Sequence, residues 1–476
     1  NTLWLFPKIL APEQIGTITL LASIASGGAI FIQFGLPNII DKFFPYYRNH
    51  ESKHNGFFMF MLVYPLVPIF VLLLIFPFIS PLILEKLSGK STYSSIIVSL
   101  IVPSVIFITY INVFEAYLRA HFQLQLSSIV KEVFLRVGIL LLVLVCAAGL
   151  ISFEQVVYGN VCSYGIACLI FLIFIWKKGW FYKSEFLKKE ELGRVKEMIT
   201  YALFIILGSG GAILLTYIDS VMLGFMSGVK DAGIYTIAFY IGTAIEIPRR
   251  IIAQSVTPLI TSAWKEDNIA QIKNIYKRAA INQFIIGAIL FLLVSFNVDY
   301  LFEIIPNGDV YKAGKWVVIC IGLTRLIDLG TSVNGEILLF SKYYKTNLLF
   351  TLIIGLINIS LNYVLILKFG LVGAALAILL SLSLHNIIKM IFIYYKMNMH
   401  PFSKEFIKVT ALFTFTVLAH FAIRAVAESL QYDMNGFFIV LANVCCVLLC
   451  FVFPILLLRI STELSALLDK ILSFIK

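Results

Sequence analysis

Thirteen stretches of this chain, beginning at Gln14–Asn38 and ending at Asn435–Arg459, are apolar and long enough to cross a bilayer as helices, which takes about 20 residues each. No other feature narrows the fold as far. Inside hydrocarbon every backbone N–H and C=O must find a partner within the protein, so only helices and closed barrels can span. These runs are continuous rather than alternating, which excludes a β-barrel and predicts an all-α polytopic membrane protein. Charged residues make up only 13% of the chain, against about 25% in soluble domains. Asn1–Leu10 is apolar as well, but as a helix it is only about 15 Å long. It reads as the outer end of a further span whose start lies roughly 15–25 residues upstream, for fourteen spans in all.

The net charge of +11 raises the question of nucleic acid, and its placement answers it. With the missing start on the cytoplasmic side, the inner connections carry 25 of the 37 lysines and arginines, Lys389 and Lys396 among them. The outer connections carry 8, and Arg136, Arg249, Arg250 and Arg325 fall within spans. An excess of positive charge on cytoplasmic loops is the general rule. Both termini are therefore expected inside, and the basicity reports topology and membrane lipid rather than nucleic acid. The seven cysteines all lie in apolar runs, without disulfide or zinc spacing, and are expected to pack in the core.

An internal repeat organises the chain. Ala11-Pro-Glu-Gln-Ile-Gly16 resembles Val229-Lys-Asp-Ala-Gly233, and each leads into a proline-bearing span. Gly149-Leu and Gly370-Leu mark two very short hairpins at comparable offset. Two same-direction bundles of six helices follow, a common transporter plan. The expected domains are residues 1–192, including a basic cytoplasmic linker, then 193–400, then two additional helices and an amphipathic tail in 401–476.

Charges at membrane depth cost roughly 2.5–3.5 kcal/mol each on insertion scales, so they mark cavities or partners. Glu115 with Arg119, Glu132 with Arg136 and Glu246 with Arg250 are four apart, and Arg325 with Asp328 three apart. Such spacings let each pair meet on one helix face, and the competing reading is that paired charges only neutralise each other and lock helices together. Arg249 and Asp219 escape that pattern. Glu246 can neutralise only one of its two arginines, and Asp219 has no basic neighbour on its own helix. Pro248 lies beside Arg249 inside a long apolar run and is expected to kink it. Glycines 208, 210 and 211 on the preceding run suit close helix approach. A desolvated carboxylate is driven toward protonation, which makes Asp219 a candidate for ion coupling or gating.

Asp219-Ser-Val-Met-Leu-Gly with Ala232-Gly-Ile-Tyr-Thr-Ile-Ala resembles the central region of Wzx-type polysaccharide flippases. Ala11-Pro-Glu-Gln-Ile-Gly, Phe34-Gly-Leu-Pro and Phe369-Gly-Leu-Val-Gly-Ala-Ala extend the resemblance over nearly the whole chain. These flippases belong to the multidrug/oligosaccharidyl-lipid/polysaccharide exporter superfamily. The resemblance implies a V-shaped arrangement of two six-helix bundles plus two C-terminal helices, in a bacterial cytoplasmic membrane. It implies a transporter rather than an enzyme, without cofactor or bound metal, moving undecaprenyl-diphosphate-linked oligosaccharide outward, with polysaccharide assembly proteins as partners. Arginine suits a diphosphate because its planar fork forms charge-assisted bidentate bonds. Arg249, Arg250, Arg325 and Arg136 are accordingly the expected substrate-binding residues, and Asp219, Glu246, Asp328 and Glu115 the expected coupling or gating residues. No Gly-x-x-x-x-Gly-Lys-Ser/Thr loop occurs, so a proton or sodium gradient is the expected driving force. A cation-coupled drug or metabolite exporter is the competing transporter reading. A membrane glycosyltransferase or polymerase would need a large outer loop, and every outer connection is short.

Overall fold

The computed structural model describes residues 2–47, 56–181, 192–206, 211–429, 436–461 and 463, and every regular element among them is helical. The glycines at 208 and 210, residues 182–191 of the basic linker and all of the amphipathic tail beyond 463 lie outside the described residues. The chain divides into two compact units, Asn1–Thr236 with Asn362–Leu371, and Ile237–Leu361 with Val372–Lys476.

The first unit contains Pro12–Gln33 (α1), Leu36–Tyr47 (α2), Leu66–Ser88 (α3), Ser94–Ala120 (α4), Leu135–Ala147 (α5), Phe153–Lys177 (α6), Gly211–Met226 (α7) and the first half of Val229–Thr243 (α8). Local chemistry sets the starts. Pro12 opens α1 at a position that needs no backbone N–H. At α6, Ser152 Oγ accepts from the Gln155 amide at 3.3 Å and Gln155 Oε1 accepts from the Ser152 amide at 2.8 Å, which closes a capping box. Helix α4 runs through the middle, packed on α1, α2, α3 and α6. Its aromatic core includes Phe43, Phe44, Phe57, Phe114, Tyr117 and Phe171. Helix α3 is apolar on every side, and Phe70, Phe78 and Leu82 are exposed, the pattern of a helix bathed in lipid.

The two copies of the repeat meet. A Cβ at Gly16 would collide with the Val229 carbonyl oxygen, and one at Gly233 with that of Pro12. Thr236 Oγ1 donates to Thr19 Oγ1 at 3.2 Å across a sequence offset of 217, the same offset that relates Gly16 to Gly233. Helices α1 and α8 thus cross backbone to backbone at equivalent glycines, as small residues permit. Either Gly16→Ala or Gly233→Ala forces the helices apart, at a cost of about 1–3 kcal/mol or more by overpacking. Thermal unfolding in detergent should show both losses, and an unchanged melting temperature for either variant would contradict the crossing. Gly149 and Gly370, the two hairpin glycines, both adopt positive φ, +74° and +55°, a conformation open to glycine without strain.

The second unit contains Ile247–Lys265 (α9), Ile269–Phe296 (α10), Lys315–Thr331 (α11), Asn334–Leu339 (α12), most of Tyr344–Met397 (α13), Lys404–Ser429 (α14) and Gly436–Val447 (α15). Helix α10 takes the central place, against α9, α11, α14 and α15. Phe284, Phe291, Leu326, Leu329, Phe406 and Phe451 fill the core around it.

Eight helices among the described residues are long and apolar enough to cross a membrane. One of them, the 54-residue α13, bends at Gly370 and carries two of the expected runs. Others of the expected runs are interrupted. The one holding Pro248 is not a single kinked helix: it breaks at a 3₁₀ turn, Ala244–Glu246, and Pro248 falls in the first turn of α9. Proline is tolerated there because the first-turn N–H has no helical partner to lose. The cysteines depart from the core expectation at Cys162 and Cys445, which are exposed on their helices.

Candidate functional site

The break before Pro248 leaves Glu246 at the end of the 3₁₀ turn, as N-cap of α9, and Arg249 and Arg250 in the first turn of that helix. Opposite them, α11 supplies Arg325 and Asp328. Ser332, at φ +54°, ends that helix and redirects the backbone into α12 with Glu336. The second half of α13 contributes His385, Asn386 and Lys389. All of these lie in the second unit.

Pairing follows tertiary neighbours rather than helix spacing. Arg249 Nε stands 3.0 Å from Asp328 Oδ2, and its Nη2 stands 3.9 Å from Glu336 Oε1. Arg325 Nη1 lies 3.2 Å from Glu246 Oε2, with its guanidinium 6.0 Å from the Phe239 ring. The expected Arg325–Asp328 pair is therefore replaced by two cross-helix pairs, and Arg249 is matched rather than unmatched. Glu246 Oε1 also meets Arg250 Nε, at 4.0 Å. Asn386 donates to Asp328 Oδ1 at 3.0 Å and accepts from Asn334 at 3.2 Å, which completes the solvation of that carboxylate from the protein side.

Lys389 corrects the loop assignment. It is buried, with Asp328, Glu336 and Arg249 acting on its charge, and a methyl group at Gly335 would stand 3.7 Å from its Nζ. Arg249, Arg250, Arg325 and Lys389 thus face three carboxylates, Glu246, Asp328 and Glu336, which leaves one positive charge in excess. Arg325 keeps only 15% of its side chain exposed and Arg249 27%, whereas Arg250 keeps 77%. The network also holds unused hydrogen-bonding capacity: Arg325 Nε, Glu336 Oε2 and His385 Nε2 are buried without a partner. Unmet polar atoms at this depth are costly, and they suit a site that receives a polar ligand or water.

The remaining expected residues lie elsewhere. Asp219 on α7, in the first unit, is 2% exposed and accepts a hydrogen bond from Asn362. Glu115 pairs with Lys131 at 2.7 Å, not with Arg119, and Arg119 forms a two-pronged pair with Asp41. Arg136 pairs with Glu132 at 2.6 Å on a well-exposed helix face. The sequence reading missed Glu336, His385, Asn386, Asn334, Asn362 and the burial of Lys389. Amides inside apolar runs were the available signal, since a buried amide requires a partner.

Comparison with known proteins gives this geometry a setting. A family model described as polysaccharide biosynthesis protein matches residues 2–264. A probable low-salt glycan biosynthesis flippase, Agl15 of Haloferax volcanii, is 20% identical over 205 residues, 43% of this chain and 43% of its own length. The chain therefore spans less than half of that relative. Among solved structures, the lipid II flippase MurJ in an inward closed conformation aligns with TM-score 0.66 and 16% identity, covering 95% of this chain and 97% of its own. An inward-facing MATE multidrug resistance transporter of the MOP superfamily aligns with TM-score 0.62 and 16% identity, over 83% and 92%. The fold is that of the MATE and MurJ transporters, and these relatives are flippases or transporters by description.

Proposed function

This chain belongs to the polysaccharide biosynthesis protein family, and from that premise we propose that it carries a lipid-diphosphate-linked glycan across the membrane by alternating access. The single observation that supports this most is the arginine and lysine network of the second unit, with one positive charge in excess and Arg250 left open. A diphosphate needs fixed cations, and arginine presents them as a planar fork. A carrier of cationic drugs would instead favour excess carboxylate. In this reading fourteen spans form two six-helix lobes, 1–192 and 193–400, with two further helices in 401–476. Both termini face the cytoplasm, in a bacterial inner membrane. Cells lacking the protein should accumulate lipid-linked glycan on the cytoplasmic leaflet, and restoring the chain should clear it. Accumulation unchanged by either step would sink the proposal.

Asp219 is the proposed coupling group, for a proton or sodium ion. It is a carboxylate buried on α7, and ionisable groups at membrane depth mark ion and proton pathways. Asparagine at 219 still accepts the Asn362 hydrogen bond, so Asp219→Asn tests charge with little change of shape. We expect melting temperature to hold while transport loses its dependence on pH or sodium. Wild-type rate with wild-type ion dependence would remove Asp219 from the coupling role.

A further inference from the structure

At one end of the second unit, where α9 finishes and α13 both begins and ends, lies a cavity of about 600 Å³. Its wall includes Trp264, Asp267, Lys342, Tyr343, Tyr395 and Lys396. It lies away from the charged network: none of Arg249, Arg325, Asp328, Glu336 or Lys389 lines it. Its apolar wall is formed by Ile269, Phe340, Tyr343 and Met397, and Trp264, Tyr343 and Met397 pack from behind on the fully buried cluster of Ile260, Tyr276, Val333, Ile337 and Ile393.

We propose that this cavity binds the phosphate headgroup of an anionic membrane lipid, with Lys342 and Lys396 holding the phosphate. Four observations carry the assignment. Two lysines face one carboxylate, Asp267, around the mouth. Among the described residues neither lysine takes part in an ion pair, and Lys342 Nζ only overlies the Tyr343 ring at 5.4 Å. The indole Nε1 of Trp264, in the same wall, is buried without a hydrogen-bond partner. Finally, the cavity lies where apolar helices end and lysines gather, with Lys265, Lys345, Lys404 and Lys408 on neighbouring segments. Tyrosine and tryptophan favour that depth of a membrane because one end of each ring system is apolar and the other polar. Lysine is the point-charge partner of phosphate, and each lysine near an anionic leaflet adds to lipid attraction. Lysines beside the apolar wall of Ile269, Phe340 and Met397 match a phospholipid, whose phosphate and acyl chains need opposite surroundings. A free anion would use the lysines and leave that apolar wall without an occupant.

The full chain in nanodiscs of phosphatidylcholine, titrated with brominated phosphatidylglycerol, tests this. The Trp264 signal is read as the fluorescence difference between the protein and Trp264→Phe. Quenching of that signal should saturate at a mole fraction roughly tenfold below that needed with brominated phosphatidylcholine, the scale of two lysines acting on an anionic headgroup. Lys342→Gln with Lys396→Gln should abolish the preference, while Lys345→Gln with Lys404→Gln, which removes the same two charges from exposed residues outside the cavity wall, should keep it. Equal quenching by the two lipids overturns the proposal, as does an equal loss in the Lys345 and Lys404 double variant, which would report surface charge alone. If millimolar inorganic phosphate erases the preference, the ligand is a free anion and the lipid assignment fails.

Discussion

Arg249→Ala should unfold this protein more readily than any change at the neighbouring arginine. The guanidinium is the shared partner of Asp328 at 3.0 Å and Glu336 at 3.9 Å, and the same two carboxylates act electrostatically on Lys389. Removing one member of a buried ion pair leaves the other charged and unpaired, which costs about 3–5 kcal/mol. Residual exposure of Arg249 places the expected loss at the lower end, about 3 kcal/mol. Asn386 still solvates Asp328 in the variant, but an amide supplies no compensating charge. Lysine at 249 should recover part of the loss, because it restores the charge without the fork that meets both partners. Thermal melting of the purified protein in detergent checks this, and a melting temperature equal to wild type would show that the pairs contribute nothing to stability.

Arg250→Ala should do the reverse. Its side chain is 77% exposed and meets Glu246 only at 4.0 Å, while Glu246 keeps Arg325 at 3.2 Å. Exposed pairs of that length are worth about 0–1 kcal/mol, so the fold should hardly register the loss. Transport should register it strongly. A charge-assisted hydrogen bond to a phosphate is worth about 1.5–3 kcal/mol, which corresponds to roughly tenfold to hundredfold in rate where that bond is made on the path across. Arg250→Lys should fall between, as a point charge without bidentate geometry. The contrast between adjacent residues is the useful feature: one variant loses stability, the other loses transport.

The all-α polytopic architecture was legible in the sequence because the bilayer leaves so few solutions. Continuous apolar runs announced helices, and the resemblance of residues 11–16 to 229–233 marked the two segments as equivalent; that Gly16 and Gly233 meet is visible only in the structure. Charge pairing was legible only in part. Spacing of three or four along a helix says which residues can meet, and it held for Glu132 with Arg136 and for Glu246 with Arg250. It failed for Arg325 with Asp328 and for Glu115 with Arg119, because each found a better partner on a different segment. Which helices become neighbours is a property of topology that no local spacing contains. Lys389 was misassigned for a related reason. It lies seven residues from the end of its run, and long cationic side chains near helix ends usually snorkel to the interface. Here Asp328 and Glu336 supply countercharge inside the protein, and the lysine stays buried. Pro248 was recognised as a disturbance, but its effect is to open a new helix rather than to bend an old one.

The most direct measurement is translocation of a fluorescent lipid-diphosphate-linked oligosaccharide in proteoliposomes, read by its protection from a membrane-impermeant quencher. The wild-type chain should move the lipid between leaflets under an imposed proton or sodium gradient, and Arg250→Ala, at unchanged melting temperature, should move it at least about tenfold more slowly. Translocation by Arg250→Ala at the wild-type rate, or none by the folded wild-type protein under either gradient, would contradict the account.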